Sequence, residues 1–254
     1  MQTRPSSPTD IGSPALSVII PAYNEEQSIG LVLSQIREVM RGSGLAYELI
    51  VVDDGSEDRT RAIAKEVRDV SVLSHRKNRG YGAALKTGIQ HAASELVCIT
   101  DADGTYPISC IPRLVEHLVG GEWDMVVGAR SPEAESLSVR RRIARWVLRR
   151  AATFVAGEVV VDPNSGLRVF RKDVVLRFFS ILAERFSFTT TITLTILANG
   201  YVAANLPIEY HPRLGRSKFP LTRDAFNIAA LLLPMSIYFA PLKVSLPLSA
   251  YCFC

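Results

Sequence analysis

The chain has 254 residues, 48% of them hydrophobic and 21% charged, with a formal net charge of +4. That balance excludes a disordered polypeptide, and the small basic excess fits an anionic partner such as phosphate or acidic lipid without calling for nucleic acid. Cys98, Cys110, Cys252 and Cys254 have neither zinc-site spacing nor the density of a disulfide framework, so free thiols are expected.

Residues 1–15 carry Pro5, Pro8 and Pro14 among small polar residues and lack the apolar core of a signal peptide; they are expected to form a flexible tail. Short β-branched runs follow at Leu16–Ile20, Glu48–Val52, Ser71–Ser74, Glu95–Thr100 and Asp124–Gly128. Between them, 26–40, 60–67 and 82–92 place apolar residues at helical spacing, as Ile29, Val32, Leu33 and Ile36 illustrate. Alternating strands and helices predict an α/β fold, and runs such as LIVV and LVCI predict parallel strands buried on both faces. The segment 138–157 gathers Arg140, Arg141, Arg142, Arg145, Arg149 and Arg150 around Ile143, Trp146 and Val147, as either a solvated helix face or a membrane-lying one. DPNSGLRVFRKD, residues 162–173, combines turn residues with a short strand, and 187–199, rich in threonine and apolar residues, allows helix or strand, with a helix expected. From Ala225 to Cys254 the only charged residue is Lys243, and Pro234, Pro241 and Pro247 break the apolar run, a pattern that predicts membrane-associated pieces; a core helix docked on the domain is the alternative.

Three predicted strands end in polar residues: the first in PAYNE with Pro21, Tyr23 and Glu25, the second in Asp53-Asp54-Gly55, the third in Asp101-Ala102-Asp103-Gly104. Ligands of open α/β sheets sit beyond the carboxyl ends of the strands, so carboxylates gathered there are placed for binding. Asp101 and Asp103 are expected to hold one Mg²⁺ or Mn²⁺, because two like charges ~4 Å apart repel by about 4 kcal/mol at an effective dielectric of 20 and need a cation between them. Such an ion would neutralise a diphosphate leaving group. A dinucleotide fingerprint is rejected, since Leu85 stands where the third glycine of the stretch from Gly80 should be.

PAYNEE, VVDDGSEDRT, NRGYGAALKTGI, DADGTYP and VVGAR, in that order, resemble glycosyltransferase family 2, in its dolichyl-phosphate mannosyltransferase-like branch, over about Leu16 to Lys218. The resemblance implies a nucleotide-diphospho-sugar transferase fold of the GT-A type, with a mostly parallel central sheet flanked by helices and C-terminal membrane-associated helices. It also implies Pro21, Tyr23, Glu25, Val51 and Asp53 around the base and ribose, Asp101, Ala102 and Asp103 at the diphosphate and metal, and inversion at the anomeric carbon. In that branch a glutamine often follows two residues after the second aspartate. Here the position is Thr105, a weaker ligand, so the resemblance alone does not fix the donor sugar as mannose, and glucose or a related sugar stays open.

Family members that glycosylate a hydroxyl often carry a Glu-Asp pair and a Gln-x-x-Arg-Trp element; neither occurs in the expected region. Cations stand there instead: Arg130, Arg168 and Arg171, then Arg213 to Lys218. A phosphate monoester is already an anionic nucleophile at neutral pH, so cations that position it suffice and no base is required. By resemblance Arg130, Arg213 and Lys218 match phosphate-contacting positions and Ser217 the acceptor loop. The expectation is a hexosyltransferase, cytoplasm-facing and membrane-associated, that uses a GDP- or UDP-sugar donor and a polyprenyl phosphate acceptor. Its domain spans 16–218, followed by a membrane tail at 219–254. Transfer to a sugar or lipid hydroxyl, or a non-catalytic nucleotide-sugar-binding subunit, are the alternatives.

Overall fold

A computed structural model describes residues 15–131, 139–184 and 188–211. β1 (Leu16–Ala22), β2 (Tyr47–Asp53), β3 (Val70–Ser74), β4 (Leu96–Ile99), β5 (Met125–Arg130), β6 (Arg168–Arg171) and β7 (Ala203–Ile208) form one sheet in the order β3-β2-β1-β4-β6-β5-β7. β6 runs antiparallel to β4 and β5; the other pairings are parallel. The sequence predicted a short strand after DPNSG, but its direction follows from where the preceding excursion re-enters the sheet.

The period-two alternation of β1 explains both layers. Leu16, Val18 and Ile20 face α1 (Ile29–Ser43) and α4 (Ile111–Gly120), packing with Val32, Leu33, Ile36 and Leu114. Ile19 faces the opposite way, toward Ala84, Leu85 and Ile89 of α3 (Tyr81–His91). α3 lies close on the sheet because Gly88 has no Cβ; one added there would stand 2.4 Å from Ile19 Cγ2. α2 (Thr60–Glu66) covers the β2–β3 edge, and α6 (Lys172–Arg177) follows β6. α7 (Phe188–Ala198) is the expected helix: it is apolar or threonine around its whole circumference, and residues 188–197 are all buried, Phe188, Ile192 and Ile196 in the α3-side core.

α5 (Val139–Ala156) is the expected basic helix. One side, with Ala152 and Val155, packs on Leu194 and Leu197 of α7, while Ile143 (57%), Trp146 (54%) and Phe154 (55%) stand exposed on the other. No helix among the described residues is long and apolar enough to cross a membrane. The expected C-terminal membrane-associated pieces lie outside the described residues.

Candidate active site at the carboxyl rim of the sheet

Strand order reverses at β1, whose neighbours are β2 on one side and β4 on the other, so a crevice opens where the connections diverge. The loops at that rim are laced together by their turn residues. Asn24, in the left-handed region (φ 52°), accepts from the Glu57 N–H at 2.8 Å, and its own N–H donates to Ser56 Oγ at 2.9 Å. The Glu25 N–H donates to Thr60 Oγ1 at 2.7 Å. Asp53 is buried at the end of β2 and accepts from the Ser56 N–H at 3.2 Å. Tyr23 and Glu25 are half-buried beside it, whereas Pro21 and Val51 are buried within the sheet, Val51 as part of the α1-side core.

The adjacent Asp54 anchors a second loop, residues 75–80. Its carboxylate accepts from the N–H groups of Arg79 (2.9 Å) and Gly80 (2.8 Å) and meets His75 Nδ1 at 2.6 Å, while His75 Nε2 lies 2.9 Å from Thr87 Oγ1. Gly55, with φ 75°, allows the close approach: a Cβ there would lie 2.6 Å from the Lys77 carbonyl carbon. This carboxylate therefore holds the loop that delivers α3 to the rim.

β4 leads into Asp101, Ala102 and Asp103. Asp103 Oδ1 accepts from the Thr105 hydroxyl at 2.7 Å and the Thr105 N–H at 3.1 Å, and Thr105 is buried. Thr105, expected near the substrate, thus orients Asp103. Ala102 is buried in the core. The Tyr81 hydroxyl donates to Asp101 Oδ1 at 2.8 Å; desolvation, then the Asp101 charge, hold Tyr81 well above its ordinary pKa and so keep the donor protonated.

Arg130, at the end of β5, forms a two-point bond with Asp162: Nε to Oδ2 at 2.7 Å and Nη2 to Oδ1 at 2.8 Å. Its guanidinium lies 5.3 Å from the Tyr210 ring, which meets Tyr106 edge-on at 5.4 Å. The His211 N–H donates to the Thr105 carbonyl at 2.9 Å, tying the end of β7 to the aspartate loop. Arg213, Ser217 and Lys218 lie outside the described residues.

The other two cations of the expected basic group serve elsewhere. Arg168 is fully buried; it donates to the carbonyls of Ser165 (Nε, 3.1 Å), Thr189 (2.9 Å) and Pro163 (3.3 Å) and to Thr193 Oγ1 (2.9 Å). Burial lowers its pKa to about 10. Its hydrogen-bonding capacity is spent on holding the 163–165 turn to α7. Arg171 pairs in register with Leu96, at the opposite end of β4 from Asp101, and donates to the Trp123 carbonyl.

The family model described as glycosyl transferase family 2 matches residues 17–179. The chain belongs to that family. Among its relatives, the dolichyl-phosphate hexose transferase of Haloferax volcanii is 30% identical, over 80% of this chain and 86% of that protein. The undecaprenyl-phosphate 4-deoxy-4-formamido-L-arabinose transferase of Pseudomonas paraeruginosa is 34% identical over 82% of this chain, which spans 61% of that longer protein. Glucosyl-3-phosphoglycerate synthase from Mycobacterium tuberculosis, solved with Mn²⁺, UDP and phosphoglyceric acid, superposes with a TM-score of 0.65 at 23% identity. That superposition covers 89% of this chain and 79% of the synthase, and shows the shared fold. The expected GT-A-like architecture, with its mostly parallel sheet, is therefore found in this family 2 glycosyltransferase.

The donor set fits a hard divalent ion. Asp101 and Asp103 would supply two carboxylates, and among the described residues no third His, Cys, Asp or Glu joins them. Mg²⁺ and Mn²⁺ suit such a sparse site, because Mg²⁺ typically takes one or two carboxylates and completes its shell with water and substrate phosphate.

Proposed function

We propose that this family 2 enzyme moves a hexose from a GDP- or UDP-sugar onto a polyprenyl phosphate at a membrane surface, with inversion. The observation that carries the reading is the Arg130–Asp162 bond. It ties the end of β5 to the Asp162 turn, the chain stretch that leads from α5 back to the rim bearing Asp101 and Asp103. α5 exposes Ile143, Trp146 and Phe154 beside Arg142, Arg149 and Arg150, and its sequence contains no acidic residue, which suits an anionic bilayer surface. A lipid phosphate lying in that surface would meet the rim at Arg130. The relatives that act on dolichyl and undecaprenyl phosphates support the same acceptor class.

In this reading Tyr23, Glu25 and Asp53 bind the nucleoside, with Pro21 and Val51 shaping the pocket from the sheet. Asp101 and Asp103 hold Mg²⁺ or Mn²⁺, which when bound offsets charge on the departing diphosphate. Thr105 aligns Asp103. Arg130, with Arg213 and Lys218, positions the acceptor phosphate, itself the nucleophile, and Ser217 belongs to the acceptor loop. Asp162 aligns Arg130 instead of taking a proton from a hydroxyl. Residues 16–218 constitute the catalytic domain and 219–254 a membrane-associated tail, with the site on the cytoplasmic side.

The test is transfer of label from a panel of GDP- and UDP-sugars to vesicle-borne polyprenyl phosphate by the purified full chain. The expected product is a lipid that releases its sugar in mild acid. Label found only in an acid-stable glycoside would establish a hydroxyl acceptor, and donor binding without transfer would establish a non-catalytic subunit. Lys218→Glu should abolish lipid labelling; unchanged turnover would remove Lys218 from the site.

A further inference from the structure

The 163–168 turn has no role in the reading above, yet it meets the first aspartate of the metal pair. A Cβ built on Gly166 would stand 2.6 Å from Asp101 Oδ2 and 2.8 Å from Oδ1, so the main chain of Gly166 forms a wall directly against the carboxylate. That wall is fixed from three sides. The Gly166 N–H donates to the Tyr106 hydroxyl at 2.6 Å, the Ser165 hydroxyl donates to the Gly128 carbonyl at 2.5 Å, and buried Arg168 grips the Ser165 carbonyl. The Tyr81 hydroxyl reaches Asp101 Oδ1 from the first turn of α3, whose entry is set by Asp54 through the N–H groups of Arg79 and Gly80.

We propose that Tyr81 and Gly166 are positioning residues that clamp Asp101 between a hydroxyl and a main-chain wall, so that its carboxylate enters the metal and diphosphate site in one orientation. The inference deepens the reading above and rests on it. Two elements distant in sequence, the Gly80–Tyr81 entry to α3 and the Pro163–Arg168 turn, thereby act on a single side chain. Tyr81 offers a charge-assisted hydrogen bond, and Gly166 offers space that no other residue type leaves. Gly166 is not among the residues with positive φ, so alanine meets no backbone penalty there and its methyl group acts on Asp101 directly.

The test is Mn²⁺ binding in the presence of UDP or GDP, read as free Mn²⁺ by electron paramagnetic resonance on the purified full chain. It needs no turnover. Tyr81→Phe keeps the ring and removes the hydroxyl; it should weaken Mn²⁺–nucleotide binding about tenfold while the chain stays folded, its melting temperature lowered by a few degrees at most. In the Asp101→Asn background the same substitution should cost nothing further, because its effect passes through that carboxylate. Gly166→Ala should weaken binding in the wild-type background and much less in Asp101→Asn, whereas Gly42→Ala, which meets no neighbour, should leave it unchanged. Equal losses in both backgrounds, or no loss from either substitution, would overturn the clamp while leaving the metal reading intact. Failure of the wild-type chain to bind Mn²⁺ with either nucleotide would overturn the metal reading and the clamp together.

Discussion

Replacing Thr105 with valine keeps the side-chain shape and removes one hydroxyl. In the folded protein that hydroxyl donates to Asp103 Oδ1 at 2.7 Å. Thr105 is 1% exposed, so water does not replace the lost donor. A hydrogen bond to a charged group contributes about 1.5–3 kcal/mol, and each 1.4 kcal/mol is roughly tenfold in affinity. The Thr105 N–H remains at 3.1 Å and still holds the same oxygen, which places the expected loss at about tenfold, toward the lower end of that range. The assay is initial rate against Mn²⁺ concentration at saturating donor. The half-saturating metal concentration should rise about tenfold while the rate at saturating metal changes little, and Thr105→Ser should restore most of the loss. An unchanged metal dependence, or a loss confined to the maximal rate, would refute the view that this threonine acts by aligning Asp103.

Asp103→Ala is expected to abolish transfer at any metal concentration, measured with the labelled lipid assay. Arg168→Leu leaves the buried carbonyls of Ser165, Thr189 and Pro163 without this donor; relief of a buried charge offsets part of the cost, and a net loss of about 3 kcal/mol should lower the melting temperature by about 6–12 °C in calorimetry. Gly55→Ala combines a left-handed φ of 75° with a methyl group 2.6 Å from the Lys77 backbone; urea unfolding should show a loss of about 2 kcal/mol or more. Trp146→Glu should release the protein from anionic vesicles in flotation and spare binding of nucleotide with Mn²⁺, because Trp146 lies on the exposed side of α5. Burial raises the Cys98 pKa, so its thiol should remain unreactive toward iodoacetamide at pH 8 until the chain is unfolded.

The strands and helices of the first half were legible because their apolar periods are clean, and the rim carboxylates because Asp101, Asp103 and Asp53 directly follow β-branched runs. The run at α7 read as helix or strand alike, and helix was expected from its place in an α/β chain. Direction and partnership were harder. Nothing in RVFR says that β6 runs against its neighbours, since a buried strand reads alike either way. Arg168 was grouped with Arg130 because both are cations near the same motifs; only the fold reveals that one is sealed among carbonyls and the other stands at the rim. His75, Tyr81 and Asp162 carry no local signal, because each acquires its role from a residue many positions away. A tyrosine at the first turn of α3 and a glycine in a Pro-Asn-Ser-Gly turn are, taken singly, ordinary turn chemistry.

The reversed strand also brings the chain that leaves α5 straight to the ligand side of the sheet. In a uniformly parallel sheet only segments leaving a strand reach the ligand side, and each continues into a helix behind the sheet. β6 is entered from the ligand side, so the backbone runs from the end of α5 through Val160, seated beside Val155, to Asp162 and then to the Gly166 wall within a dozen residues. The position of α5 on α7 and the shape of the rim at Asp101 are thereby joined by one short stretch of backbone.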